Sequence, residues 1–170
     1  MTDRILVAYA TRTGSTAEVA DRIARHLCEA GLAAEARPVG EVTGLYGYSG
    51  AVLGSAVRYG SWLPEMADFV SENRGALSAV PVAYSTMHML AFGDDPASAA
   101  ERAKYTAKAR DLVTPADEVF FEGMIDPARL SFFDRLAVRL VKSSVGGRRD
   151  WDRIAAWADE LAPQLASAPA

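Results

Sequence analysis

A run of hydroxyl side chains around one glycine follows the first apolar segment of this 170-residue chain. The run reads Thr11-Arg12-Thr13-Gly14-Ser15-Thr16. Apolar residues at helical spacing come next, so the run lies where a helix begins. A helix N-terminus offers unpaired backbone N–H groups and a positive dipole end, and both favour a phosphate. The hydroxyls add donors, and Gly14 lets the backbone approach a ligand closely. The alternative is an ordinary turn rich in helix-capping residues.

Two other phosphate motifs are missing from the sequence. The P-loop needs Gly-x-x-x-x-Gly-Lys, and the dinucleotide fingerprint needs Gly-x-Gly-x-x-Gly. Neither pattern follows the first apolar segment. The composition alone therefore leaves the phosphate site and the ordinary turn as equal alternatives.

Five short apolar segments predict strands, and amphipathic segments between them predict helices. The predicted strands are Ile5–Tyr9, Ala33–Val39, Gly50–Gly54, Val80–Ser85 and Val119–Phe121. The first predicted helix follows the hydroxyl run, the second spans Trp62–Glu72, and the third runs from Pro96 to about Leu112. The last predicted helix begins after Asp150 and has Pro163 near its end.

This alternation predicts an α/β fold, a doubly wound five-stranded parallel sheet with helices on both faces. The short connections favour the flavodoxin-like strand order 2-1-3-4-5. In such a sheet, ligands bind beyond the carboxyl ends of the strands. We therefore expect the site in the loops after strands one, three and four. Residues 1–165 are expected to form a single domain, and residues 166–170 a frayed tail.

The charge and cysteine content exclude several classes of protein. The net charge of -4 disfavours a nucleic-acid binder, which normally carries a basic excess. A single cysteine, Cys28, cannot form an internal disulfide, and two scattered histidines predict no metal site. No apolar run approaches the roughly 18 residues of a spanning helix, and no leader-like segment begins the chain. The cytoplasm is the expected location, with peripheral contact at the inner face of the membrane.

The hydroxyl run resembles the phosphate loop of flavodoxins, because Thr11-x-Thr13-Gly14-x-Thr16 follows the first strand directly. Residues 54–62, Gly-Ser-Ala-Val-Arg-Tyr-Gly-Ser-Trp, resemble the loop after strand three in one flavodoxin-like branch, the menaquinone-dependent protoporphyrinogen oxidases. The region from Phe132-Phe133-Asp134-Arg135 to Trp157-Ala158 resembles the C-terminal part of that branch. The resemblance covers nearly the whole chain.

The resemblance implies FMN as the cofactor. Its phosphate is expected at Thr11, Arg12, Thr13, Gly14, Ser15 and Thr16. Contacts to the flavin ring and ribityl chain are expected at Ser55, Ala56, Val57, Arg58, Tyr59, Gly60 and Trp62, and at Ser85, Thr86, Met87 and His88. Tyr59 is the expected stacking residue on one flavin face, and methionine can cover the other face. No catalytic residue is identified; His88 is a weak candidate for a proton relay, or a loop histidine without a chemical role.

The resemblance also implies an FMN-dependent oxidoreductase that takes electrons from a small-molecule substrate, a porphyrinogen, and passes them to a quinone. Alternatives are a flavodoxin-type electron carrier, a general quinone or NAD(P)H oxidoreductase, and a binding domain without flavin. Four cations after strand four either receive substrate propionates or form the solvated face of a helix. They are Arg102, Lys104, Lys108 and Arg110.

Residues 129–149 carry six basic side chains and one acidic one, around a short apolar helical face. The segment is either a crossover helix with solvated cations or a patch that contacts an anionic membrane. Near such a surface each basic residue contributes about 1 kcal/mol. For the membrane patch we expect sedimentation with anionic, but not neutral, liposomes at low salt. The triple variant Arg135→Glu, Arg139→Glu, Lys142→Glu should stay in the supernatant. Equal recovery of both proteins with both lipids would favour the crossover helix.

Overall fold

The computed structural model describes residues 4–89, 91, 93–122 and 150–166 of the chain. The basic segment 129–149 and the tail beyond Ala166 lie outside the described residues. The strands are β1 Arg4–Ala10, β2 Ala33–Pro38, β3 Gly50–Arg58, β4 Ser61–Trp62, β5 Val82–His88 and β6 Asp117–Glu122. Five of them pair in parallel in the order β2-β1-β3-β5-β6, and β4 pairs only with β3, antiparallel to it. The predicted order is confirmed, because the five parallel strands follow 2-1-3-4-5 in chain order.

Six helices connect or follow these strands in the described part of the chain. They are α1 Ser15–Glu29, α2 Pro64–Glu72, α3 Arg74–Ser78, α4 Pro96–Tyr105, α5 Ala107–Leu112 and α6 Trp151–Ala166. A short 3-10 turn, Val39–Glu41, follows β2. In the described residues, no helix is both long enough and apolar enough to cross a membrane.

The sheet is covered on both faces, as predicted. On one face α1 packs on β1, and α6 packs beside α1 against β3 and β6, with buried residues such as Ile23 and Leu161 between them. On the other face α2, α3 and α5 pack against alternate residues of the same strands, including Leu53 and Tyr84. Because successive strand residues point to opposite faces, each central strand contributes to both cores. This explains the continuous apolar runs in the sequence.

A two-residue turn separates β3 from β4. Trp62 therefore lies in a strand, whereas the sequence predicted that a helix begins there. Tyr59 and Gly60 both have positive φ, 53° and 72°. Positive φ at both central residues turns the chain back as a tight hairpin with the twist that paired strands prefer. Ser61 therefore pairs with Arg58, and Trp62 with Val57. Helix α2 begins two residues later, with Pro64 at its first turn.

Two other boundaries differ from the sequence expectation. Strand β5 continues through His88, so the residues from Ser85 to His88 lie in a strand rather than a loop. The helix predicted from Pro96 to Leu112 is broken at Thr106, which is buried and donates its hydroxyl to the Glu118 carboxylate. Helix α6 ends at Ala166, so Pro163 lies near its end as expected, and buried Leu165 keeps the last turn on the core.

Candidate functional site

The loops that follow β1, β3 and β5 begin close together, because the last residues of these strands are aligned across the sheet. Ala10 of β1 pairs with Ser55 of β3, and Ser55 pairs with Thr86 of β5. Since these strands are parallel, their carboxyl ends open onto the same edge. The structure therefore brings together the hydroxyl run, the β3–β4 hairpin and the end of β5, as the sequence predicted.

The N-terminus of α1 is shaped by Gly14, which has a φ of 87° and stands at the N-cap position. Its amide N–H donates to Thr11 Oγ1 at 2.9 Å, which fixes the turn. No side chain in the described residues caps this helix. The first turn of a helix leaves several N–H groups without intrahelical partners, and an anion satisfies them well.

Thr16 provides an independent observation at the same helix end. Its side-chain oxygen Oγ1 is buried and has no hydrogen-bond partner in the described part of the chain. A buried hydroxyl without a partner costs about 1–3 kcal/mol, so native structures seldom retain one without a reason. A phosphate oxygen at the helix N-terminus would satisfy it. The donor set of Thr16, Ser15 and the backbone amides thus fits the 5′-phosphate of FMN.

Arg12 has a protein partner. Its guanidinium donates to both carboxylate oxygens of Glu65 in the first turn of α2, with 3.1 Å between Nη2 and Oε2. Burial opposes ionisation of Glu65, but the bonds from Arg12 outweigh it and lower the pKa of that carboxyl. Arg12 is therefore tied toward α2. No sequence pattern indicates this pair, because its members are 53 residues apart.

Tyr59 is exposed at the tip of the hairpin in a strained conformation. Its side chain is 92% exposed, and the Arg58 guanidinium lies 5.1 Å from the ring centre. A bulky residue at positive φ is an outlier, and asparagine, aspartate or glycine is usual at this turn position. Neither the turn nor the core accounts for a tyrosine here. Such outliers point to a functional contact, which agrees with the expected role of Tyr59 beside the flavin.

Buried hydrogen bonds and one ring contact hold the hairpin against the sheet. Trp62 Nε1–H donates to Thr86 Oγ1 at 2.9 Å, and its ring meets Tyr84 edge-on with 4.8 Å between centres. Ser55 Oγ accepts the N–H of Leu63 at 3.1 Å and donates to the Ala56 carbonyl at 2.8 Å. Trp62 and Ser55 therefore fix the position of the backbone from Ala56 to Gly60.

The residues at the end of β5 are buried. Met87 packs in the core beneath α1 and α6, and Ser85 and Thr86 are enclosed in the sheet. His88 lies between the rings of Tyr105 and Phe120, each 6.1 Å away. It also lines a cavity of about 200 Å³ together with Asp94 and Arg102. This region is a polar pocket at the sheet edge, and the buried side chain of His88 lies there at the end of the strand.

Comparison with known proteins agrees with this geometry. A family model described as a flavodoxin domain matches residues 6–152. The chain is 24% identical to protoporphyrinogen IX dehydrogenase [quinone] of Escherichia coli K12, and the match covers 94% of both chains. It is 27% identical to the protein of the same name from Leishmania major, covering 86% of this chain and 65% of that protein.

Solved structures share the fold at low sequence identity. An archaeal flavodoxin superposes with a TM-score of 0.60 at 14% identity, covering 96% of this chain and 99% of the other. Rubredoxin oxygen:oxidoreductase from Desulfovibrio gigas gives a TM-score of 0.63 at 14% identity, covering 98% of this chain and 37% of that protein. Identities this low establish the architecture only.

Replacing Thr13 and Thr16 together by alanine should weaken FMN binding by at least about 3 kcal/mol. Each hydrogen bond to a charged group contributes roughly 1.5–3 kcal/mol. The measurement is quenching of FMN fluorescence on titration with apoprotein. Thr16→Ser, which keeps the hydroxyl, is the matched control and should bind within a few-fold of wild type.

Thr16→Ala alone should not lower the apoprotein's free energy of unfolding in urea, because removal of a buried hydroxyl that has no partner in the described residues relieves its desolvation cost, and this offsets the lost packing of the methyl group. An FMN affinity equal to wild type in the double variant would refute the phosphate site.

Tyr59→Asn should raise the stability of the apoprotein and weaken its binding of FMN. Asparagine tolerates positive φ, so relief of strain should raise the apoprotein's unfolding free energy. The expected net gain is about 0.5–1 kcal/mol once the lost cation–π contact with Arg58 is subtracted. FMN affinity should fall, since a stacked aromatic adds about 0.5–1.5 kcal/mol beyond its buried area. Tyr59→Phe keeps both ring and strain and should match wild type in both. If Tyr59→Asn binds FMN normally, Tyr59 does not contact the flavin.

Proposed function

This chain belongs to the flavodoxin-domain family, whose cofactor is FMN, and on that basis we propose that it is a protoporphyrinogen IX dehydrogenase that passes electrons to a quinone. One observation supports the choice most strongly. The match to the Escherichia coli protein of that name extends over 94% of both chains, so it includes the hairpin and the C-terminal region as well as the phosphate loop.

The chain's own residues would hold FMN at the edge formed by β1, β3 and β5. The α1 N-terminus and Thr16 would bind the phosphate, since the helix end and the unpartnered hydroxyl converge there. The backbone from Ala56 to Gly60 would contact the ring, and Tyr59 would cover one face. Two-electron redox chemistry is what FMN supplies when it is bound.

Positioning is the main task we assign to the protein. Oxidation of a porphyrinogen to a porphyrin removes six hydrogens, which requires three two-electron rounds. The substrate must therefore turn or be released between rounds, and an open site suits this. His88 is our candidate proton relay, because it ends β5 and faces the polar pocket with Asp94 and Arg102.

A flavodoxin-type electron carrier is the second candidate. The match of residues 6–152 to a flavodoxin-domain model is equally consistent with it. A carrier docks to protein partners and needs no site for an organic substrate. Such proteins use a strongly charged surface for docking, and a net charge of -4 provides only a weak field.

Anaerobic mixing separates the two candidates. Protoporphyrinogen IX should bleach the flavin absorbance of the FMN-loaded protein, with matching growth of porphyrin fluorescence. A soluble quinone should then restore the flavin absorbance over repeated cycles. The Thr13→Ala, Thr16→Ala variant is the control for oxidation without bound FMN. Reduction by dithionite but not by the porphyrinogen would favour the carrier.

A further inference from the structure

The ion pair of Arg12 with Glu65 joins the two segments that the FMN site requires. Arg12 lies in the hydroxyl run between β1 and α1, and Glu65 lies in the first turn of α2, directly after the β3–β4 hairpin. The hydroxyl run is the proposed site of the phosphate, and the hairpin is the proposed site of the flavin ring. The pair therefore connects the two ends of one cofactor site.

The guanidinium of Arg12 is engaged on both of its terminal nitrogens. It donates to both carboxylate oxygens of Glu65, with 3.1 Å between Nη2 and Oε2. Within the described part of the chain, these are the hydrogen bonds that its side chain makes. A two-point contact of this kind fixes the orientation of both groups as well as their separation. Arg12 is thus held toward α2.

The α2 end of the pair is firmly anchored. Leu63, which precedes the helix, is buried, and its N–H donates to Ser55 Oγ in β3 at 3.1 Å. Met66, in the first turn, is fully buried as well. The helix dipole also favours the carboxylate of Glu65 in this first turn. Glu65 is therefore a fixed point to which a neighbouring loop can be tied.

The hydroxyl run is the part that needs such a tie. Residues 11–14 belong to neither β1 nor α1, and loops are usually more mobile than the elements they connect. Its turn is closed by the hydrogen bond from the Gly14 N–H to Thr11 Oγ1. That bond fixes the local shape of the run, but it does not fix the position of the run relative to the hairpin. The ion pair with Glu65 does.

A cleft of about 500 Å³ between the hairpin and α5 shows that Arg12 lies beside the hairpin. Arg12 lines this cleft together with Tyr59 and Trp62. The buried hydroxyl of Thr16, by contrast, lies at the start of α1. The side chain of Arg12 is therefore placed to act on the spacing between the hydroxyl run and the hairpin.

We propose that Arg12 is a positioning residue for FMN, which acts through Glu65 to hold the hydroxyl run at a fixed distance from the hairpin. This role differs from the phosphate contact that the resemblance implies, since the phosphate is then bound by hydroxyls and backbone amides. A site already held in its binding geometry loses less conformational entropy when the ligand binds. The inference rests on the proposed phosphate site and is independent of the substrate.

The test compares FMN with riboflavin, which has the same ring and ribityl chain but no phosphate. Both affinities are measured by flavin fluorescence quenching on titration with apoprotein at about 0.15 M salt, where distant charges are largely screened. Arg12→Gln and Glu65→Gln should each weaken both flavins about fivefold, so the ratio of the two affinities stays within about twofold of wild type. The double variant should also lose about fivefold, rather than about 25-fold, because both substitutions remove the same interaction.

Arg4→Gln is the matched control. Arg4 pairs with Glu35 between β1 and β2, and the two side chains are 49% and 34% exposed, against 47% and 36% for Arg12 and Glu65. Arg4 begins β1, whereas the hydroxyl run follows the end of that strand. The control therefore loses a similar ion pair far from the site, and it should bind both flavins like wild type.

Three results would overturn the inference. If Arg12→Gln loses at least about tenfold in FMN affinity and nothing in riboflavin affinity, Arg12 binds the phosphate. If Glu65→Gln binds FMN more tightly than wild type, Glu65 withholds Arg12 from the phosphate. If both single variants bind both flavins like wild type, the pair does not position the site.

The variant Thr13→Ala, Thr16→Ala tests the phosphate site separately. It should weaken FMN far more than riboflavin, because it removes hydroxyls assigned to the phosphate. If it weakens the two flavins equally, the phosphate site itself is wrong. If it behaves as expected while Arg12→Gln and Glu65→Gln have no effect, the phosphate site survives and only the positioning role fails.

Discussion

The pairing of β3 between β1 and β5 is the constraint on which the site depends. It sets Ala10, Ser55 and Thr86 in one row, and the three loops leave the sheet from there. The close approach of β3 to β5 relies on Gly54, because a Cβ at that position would lie 2.8 Å from Ser85 Oγ. Packing at one glycine thus keeps the hydroxyl run and the hairpin at a common edge.

At this edge of the sheet, a hairpin held by hydrogen bonds lies beside groups whose conformation or burial is energetically unfavourable. Trp62 and Ser55 hold the hairpin through buried hydrogen bonds, whereas the buried hydroxyl of Thr16 has no hydrogen-bond partner among the residues that the structure describes. Tyr59 remains in a backbone conformation that disfavours its side chain. Such local costs persist where the surrounding structure over-determines the conformation, and ligand binding can offset them. The proposed FMN contacts fall at these costly positions.

Electrostatics distinguishes the two sides of the site. The phosphate end uses backbone dipoles and hydroxyls, and its nearby arginine is neutralised by Glu65. The cleft between the hairpin and α5 has the basic side chains of Arg58 and Lys108 in its lining.

The sequence by itself predicted the parallel strands, the helices on both faces and the hydroxyl run where α1 begins, because strand and helix periodicity and the Thr11–Thr16 pattern are local properties. It did not reveal the hairpin at Tyr59, the extension of β5 through His88 or the break at Thr106, since each depends on contacts with distant residues. Only the tertiary structure decided which charged side chains pair. Arg12 pairs with Glu65, 53 residues away in the chain, and Arg58 and Lys108 line the same cleft. Composition gives the number of charges, but their partners depend on how the chain folds in three dimensions.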